Sequence, residues 1–82
     1  MKINITPRNK NGKPHGYWEI YFFNEQLFYK VNYINGNSDG PCKYYNSDGN
    51  LSYKGNYING DKDGLWESYD DNGKVEVKEY YI

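Results

Sequence analysis

Large apolar and aromatic side chains alternate with polar ones in short runs bounded by Asn, Asp and Gly, the two-residue period of β-strands. Tyr17 to Phe23 and Gln26 to Ile34 are the first two such runs, separated by Asn24-Glu25. Asp48-Gly49 and Asn72-Gly73 stand at the equivalent places further on and signal two-residue hairpin turns. Glu25 is the exception, since a positive backbone angle costs it more than it costs Gly, so the first turn is expected to be wider or of another type. No stretch shows helical periodicity.

The runs repeat with a period of 24 residues. Asn11-Gly12, Asn35-Gly36 and Asn59-Gly60 open three segments that align without a gap to Ile34, Ile58 and Ile82. Seven of the 24 columns are identical in all three: the Asn-Gly pair, Gly16/Gly40/Gly64, Tyr21/Tyr45/Tyr69, Lys30/Lys54/Lys78, Tyr33/Tyr57/Tyr81 and Ile34/Ile58/Ile82. Shifting the frame back lays Ile3 and Ile5 on the Leu27 and Tyr29 columns. The expected organisation is therefore one domain, 1–82, with a partial capping strand at 1–10 and hairpin repeats at 11–34, 35–58 and 59–82. Six-residue N-G-x-x-[HD]-G connections would return the chain as a neighbouring strand. The fold class is all-β, an antiparallel meander of about seven strands in a single-layer curved sheet.

The pattern N-G-x-x-D-G-x-W-x-x-Y, followed by a turn Gly, Leu or Val and a later Tyr-Ile, resembles MORN-type repeats, especially the Trp-containing bacterial variant often described as antitoxin-like. The resemblance spans residues 11–82. It implies stacked β-hairpins and an association with protein scaffolding, phospholipid contact or, for the bacterial variant, an antitoxin role. Repeat 2 departs from the pattern, with Pro41-Cys42 where the others have Tyr17-Trp18 and Leu65-Trp66.

Two-residue turns would fix the register, because residues equidistant from a turn share one face. One face then pairs Phe22 with Leu27, Ile20 with Tyr29, Trp18 with Val31, Asn46 with Leu51, Tyr44 with Tyr53, Cys42 with Gly55, Asp70 with Val75, Ser68 with Val77 and Trp66 with Glu79. The other pairs Tyr21 with Phe28, Glu19 with Lys30, Tyr69 with Glu76 and Glu67 with Lys78, leaving Lys43 and Lys54 as an uncompensated pair. The small Cys42 and Gly55 between two Trp-bearing units leave a notch in the apolar face. It is either a point of sheet curvature or a slot for a partner's side chain anchored by Trp18, Tyr29, Tyr44, Tyr53 and Trp66.

Composition narrows the function. Leu, Ile, Val and Phe supply 15 of 82 residues, while 11 Tyr, 2 Trp and 3 Phe raise the aromatic share to 20%. Rings with polar tips replace an aliphatic core. Lys plus Arg number 10 against 11 Asp plus Glu, a net charge of −1, which removes the bulk attraction to nucleic acid or anionic membrane. One Cys cannot form an internal disulfide, and Met1 to Asn11 lacks the apolar centre of a signal peptide. A cytoplasmic setting is expected, with a bacterial or phage-infected cell implied by the resemblance.

No enzyme is expected, and neither cofactor nor metal. His15 occupies a loop column held elsewhere by Asp39 and Asp63 and reads as a turn residue. Cys42 reads as a buried thiol with no base beside it. Asn35, Asn37, Asp39 and Gly40, and again Asn59, Asp61, Asp63 and Gly64, match the opening of a calcium loop, but the twelfth position is Asn46 or Asp70 rather than Glu, and the flanks are strands. The expected function is a non-catalytic protein-binding module, a small stoichiometric inhibitor such as an antitoxin or a phage-type antagonist of a bacterial defence nuclease. It would act through the aromatic face, with Lys43 and Lys54 as further contacts, or through the edge strand Val75 to Ile82. The alternatives are an RNA or single-stranded nucleic-acid binder using Tyr and Trp stacking with Lys43, Lys54 and Arg8, and a homo-oligomeric structural or phospholipid-contacting repeat protein, such as a homodimer formed through the sheet face or edge. The charge balance argues against the membrane.

Overall fold

The computed structural model describes residues 2–82. Seven strands form one antiparallel sheet: β1 (Gly16–Tyr21), β2 (Leu27–Ile34), β3 (Asn37–Ser38), β4 (Gly40–Tyr45), β5 (Leu51–Ile58), β6 (Asp61–Tyr69) and β7 (Val75–Tyr81). They lie in the order β1-β2-β4-β5-β6-β7, with β3 paired to the end of β2. The expected meander is present. Its Cα envelope measures 42 × 38 × 10 Å, one layer thick, and its radius of gyration is 13.6 Å, above the roughly 12 Å of a compact domain this long.

The hairpin turns at Asp48-Gly49 and Asn72-Gly73 correct the expected two-residue loops, while the turn at Glu25 is wider, as its residue implies. In each, an N–H closes a four-residue turn and the next pair closes the strand ends: Gly49 N to Asn46 O at 3.0 Å with Asn46 N to Asn50 O at 2.9 Å, and Gly73 N to Asp70 O at 3.0 Å with Asp70 N to Lys74 O at 2.8 Å. The third loop residue is left-handed, with φ of 89° at Gly49, 81° at Gly73 and 70° at Glu25. These are three-residue loops. The side chains select them, since Asn46 Oδ1 accepts from Asp48 N and Asn50 N, and Asp70 Oδ1 from Asn72 N and Lys74 N. The extra residue shifts the register beside each turn. Tyr21 therefore meets Leu27, Tyr45 meets Leu51 and Tyr69 meets Val75, displacing the pairs expected for Phe22, Asn46, Asp70, Phe28 and Glu76. Farther from the turns the expected pairs hold, including Trp18 with Val31, Cys42 with Gly55 and Trp66 with Glu79.

Gly73 isolates the backbone contribution of these loops, because a Cβ there would meet nothing within 4 Å. Gly73→Ala is therefore expected to cost about 1 kcal/mol from left-handed strain alone, read from the urea midpoint. A loss below about 0.3 kcal/mol would show that the loop relaxes to another turn type.

Two identical dipeptides fold differently from a third. Asn35-Gly36 and Asn59-Gly60 have positive φ at both positions, 47° and 94°, then 51° and 87°, and join directly paired strands as two-residue turns. Asn11-Gly12 instead lies in a three-residue loop closed by Asn9, whose Oδ1 accepts from Asn11 N and Lys13 N. The leading segment is not a continuous strand over its described part. It meets the sheet edge at one bridge, Ile5 with Glu19, and then packs Pro7 and Arg8 over the first unit. The short strand of the meander is β3 instead.

After each two-residue turn the returning strand carries two extra residues. Asn56 pairs with Asp63 and Lys54 with Glu67, so Gly64, Leu65 and Trp66 all stand against Gly55. The same excess separates β3 from β4 opposite β2. These bulges bend the sheet and bring rings over one face, where Val31, Cys42 and Trp66 are 1, 3 and 5% exposed. Tyr29, Tyr33, Tyr44, Tyr57 and Tyr81 pack around them. The core is a patch on one side of a single sheet, roofed by aromatic rings.

Candidate functional site

Strand pairing lines up Ile20, Tyr29, Tyr44, Tyr53, Ser68 and Val77 in one row across the sheet. The ring centroids of Tyr29 and Tyr44 are 5.4 Å apart, and those of Tyr44 and Tyr53 are stacked at 4.4 Å. Tyr33, Tyr57 and Tyr81 stand opposite Gly16, Gly40 and Gly64, where the lack of a side chain on the facing strand leaves room for a ring. Each packs edge-on to an indole: Tyr33 on Trp18 at 5.2 Å, and Tyr57 and Tyr81 on Trp66 at 5.0 and 6.4 Å. This accounts for the invariant Tyr33/Tyr57/Tyr81 and Gly16/Gly40/Gly64 columns.

The notch expected between Cys42 and Gly55 is filled. Trp66 lies across Gly55 so closely that a Cβ at Gly55 would fall within the indole, and Trp66 Nε1 donates to Asn56 O at 3.1 Å. The slot closes because the bulge at Gly64 and Leu65 swings Trp66 back over β5. Of the proposed aromatic anchors, Trp66 is therefore a core residue. Trp18 is half-buried, donating from Nε1 to Pro7 O at 2.9 Å beneath the Arg8 guanidinium. Tyr29 and Tyr44 are half-buried, and Tyr53 is the most open of the five at 36% exposure.

Burial sets the chemistry of this face. Desolvation, followed by the 3.2 Å contact between its hydroxyl and that of Tyr57, pushes the Tyr44 phenol well above its ordinary range. Burial pushes the Cys42 thiol up to about 11, so it is protonated at neutral pH and a poor nucleophile. His15 holds a turn in place, with its Nδ1 accepting from Asn35 N at 3.1 Å, as Asp39 Oδ1 accepts from Asn59 N at 3.4 Å. An imidazole and a carboxylate share that column because each offers an acceptor to the next turn.

Lys43 and Lys54 belong to a charged row on the opposite face, so they and the aromatic anchors do not form one platform. The row runs Glu19, Lys30, Lys43, Lys54, Glu67 and Lys78. The expected Lys43 and Lys54 pair is refined by this order. Lys54 faces Glu67 across the connection between repeats, while Lys43 stands between two lysines. Lys30 reaches Glu19 at 3.6 Å, the one ion pair within 4.0 Å among these six side chains.

The residues that sequence reasoning misses lie beside β7. Tyr53, Lys62, Trp66, Val77, Glu79 and Tyr81 are among the residues that line a groove of about 220 Å³ beside that strand. Lys62 Nζ sits 4.8 Å from the Trp66 ring centroid and 5.3 Å from that of Tyr81. The Tyr81 column is visible in the repeat, but nothing in the sequence links Lys62 to it. Among the described residues β7 is bonded only to β6, and it exposes Val75, Val77 and Tyr80 at 42, 45 and 75%.

No curated protein and no solved structure matches the chain. A family model described as a MORN repeat variant matches residues 14–35, 38–59 and 62–82. Each matched unit begins two residues before a glycine of the Gly16, Gly40 and Gly64 column, and Gly40 and Gly64 lie in the two bulges. Repeats of this kind are non-catalytic modules that contact proteins or membranes. On the strength of that match, with its units in step with the observed bulges and hairpins, the chain belongs to the MORN repeat variant family.

Proposed function

We propose that the chain works by occupying a protein partner, as a stoichiometric inhibitor that receives an extended segment of its target along β7. The observation that carries this reading is the free side of that strand, a run of seven residues that has a neighbour on one edge only among the described residues. An unpaired strand presents backbone donors and acceptors that a partner strand can complete. The groove beside Val77 and Glu79 offers a place for a side chain of the added strand. The resemblance to antitoxin-like bacterial repeats supports an inhibitor, whether an antitoxin or an antagonist of a defence nuclease.

The test is capture of the partner from the native host, followed by hydrogen exchange on the purified complex. Amides between Val75 and Tyr81 are expected to gain at least tenfold protection. Val77→Lys, which places a charge at the half-exposed edge, is expected to abolish capture while leaving the thermal midpoint near wild type. Recovery of the same partner at full yield by this folded variant, or protection confined to other strands, would overturn the β7 reading. Capture lost only when the aromatic face is altered would return attention to Trp18 and Tyr53.

A further inference from the structure

We infer that the charged face carries a second, separate site, which takes a short acidic segment of a partner protein at Lys43. Lys30, Lys43 and Lys54 lie directly opposite one another on β2, β4 and β5. Like charges placed so are mutually destabilising in the free protein. Lys30 is held by Glu19 at 3.6 Å, and Lys54 faces Glu67, but both register neighbours of Lys43 are cations. Its ammonium is exposed and has no carboxylate within 4.0 Å among the described residues. Beside it Tyr17, Leu27, Lys30, Pro41 and Tyr45 help to line a cleft of about 290 Å³.

The cleft combines an apolar wall with two ammonium groups, Lys30 and Lys43, at its margin. Pro41 contributes to that wall because the middle unit lacks the Tyr or Leu found at this position in the others. A carboxylate beside an apolar residue matches this combination, the carboxylate relieving the repulsion within the lysine row. The ends of the row select against a long polyanion. Beyond the three lysines the register places Glu19 on one side and Glu67 on the other, so phosphates following a nucleic-acid strand would meet carboxylates. A basic groove continued along the backbone, as nucleic-acid binders use, is absent from this row. An acidic peptide with one or two carboxylates fits within it.

This site shares no residue with the β7 edge and is tested separately from it. The probe is a blocked hexapeptide alternating Glu and Leu, titrated into the whole chain and followed by amide chemical shifts at low salt. Perturbations are expected at Tyr17, Lys30, Lys43, Tyr45 and Lys54, and a peptide with Gln in place of Glu is expected to bind at least tenfold more weakly. Lys43→Glu is expected to weaken the acidic peptide at least tenfold while keeping or raising the thermal midpoint, since the new carboxylate would sit between two lysines. That opposite movement separates a binding role from a structural one. Val77→Lys is expected to leave the titration unchanged, so failure at β7 and failure here are distinguishable. Equal binding by wild type and Lys43→Glu, equal binding of the Gln peptide, or perturbations centred on β7 would overturn the proposal. So would tighter Lys43-dependent binding of a single-stranded oligonucleotide or of phosphatidylserine vesicles than of the peptide.

Discussion

Gly55→Ala is expected to destabilise the protein by about 3 kcal/mol, at the upper end for overpacking a closely filled site. The methyl group would enter the space of the Trp66 indole. That ring cannot easily withdraw, being 5% exposed, bonded through Nε1 to Asn56 O and packed between Tyr57 and Tyr81. Trp66→Ala is expected to cost about 3–5 kcal/mol by removing the largest core side chain. Either loss is a large part of the roughly 4–12 kcal/mol available to a domain of this size. The pair gives a decisive cycle. In the Trp66→Ala background the added methyl group has room, so Gly55→Ala is expected to cost less than about 1 kcal/mol, a coupling of about 2 kcal/mol or more. Denaturation of the four proteins measures it, and equal costs of Gly55→Ala in both backgrounds would show that the two residues do not share this space.

The second large effect is alkaline unfolding. Burial raises the pKa values of Tyr44, Tyr33 and Tyr53, hydrogen bonds to Glu19 and Glu79 raise those of Tyr21 and Tyr81, and burial carries Cys42 from 9.0 to about 11. All six groups keep their protons more tightly in the folded state, so their contribution is complete below the unfolded values of 9.0 for Cys and 10.0 for Tyr. It declines as pH rises through the folded values. The chain is therefore expected to unfold cooperatively above about pH 10, with Tyr44 ionising as the sheet is lost. Tyr44→Phe is expected to move the transition to higher pH, because the most strongly shifted of these groups can no longer ionise. Circular dichroism and tyrosinate absorbance followed together test this. Stability that stays flat or rises between about pH 10 and 12 would contradict the burial of these hydroxyls.

Much of this architecture is legible in one sequence because the repeat multiplies weak signals. One Tyr opposite one Gly says little, but Tyr33, Tyr57 and Tyr81 against Gly16, Gly40 and Gly64 define a packing unit. Pairs such as Trp18 with Val31 and Lys43 with Lys54 follow from alternation together with the places of the turns, and they hold because the register shift beside each turn absorbs the extra loop residue. The length of the loop is hidden, because Asn72-Gly73 suits both a two-residue and a three-residue loop, and the choice lies with Asp70, whose carboxylate reaches Asn72 N and Lys74 N. The filled notch is hidden for a different reason. Alternation states which face Trp66 occupies, whereas two extra residues in β6 decide that its ring crosses onto Gly55. For the candidate site, the lysine columns are visible, but the order placing Lys43 between two cations requires the pairing of β2 with β4.

The acceptors supplied by His15 and Asp39 give the sheet a direction. The turn at Asn35-Gly36 is held by His15 Nδ1 and Pro14 O, and the turn at Asn59-Gly60 by Asp39 Oδ1 and Ser38 O. Each connector is thus clasped by the unit that precedes it. Peeling the sheet from its β7 side removes the last hairpin and leaves both earlier clasps intact. Peeling from the opposite side withdraws a clasp before its connector has been reached, so the two ends of the molecule resist a mechanical load unequally, although they are built from the same repeat.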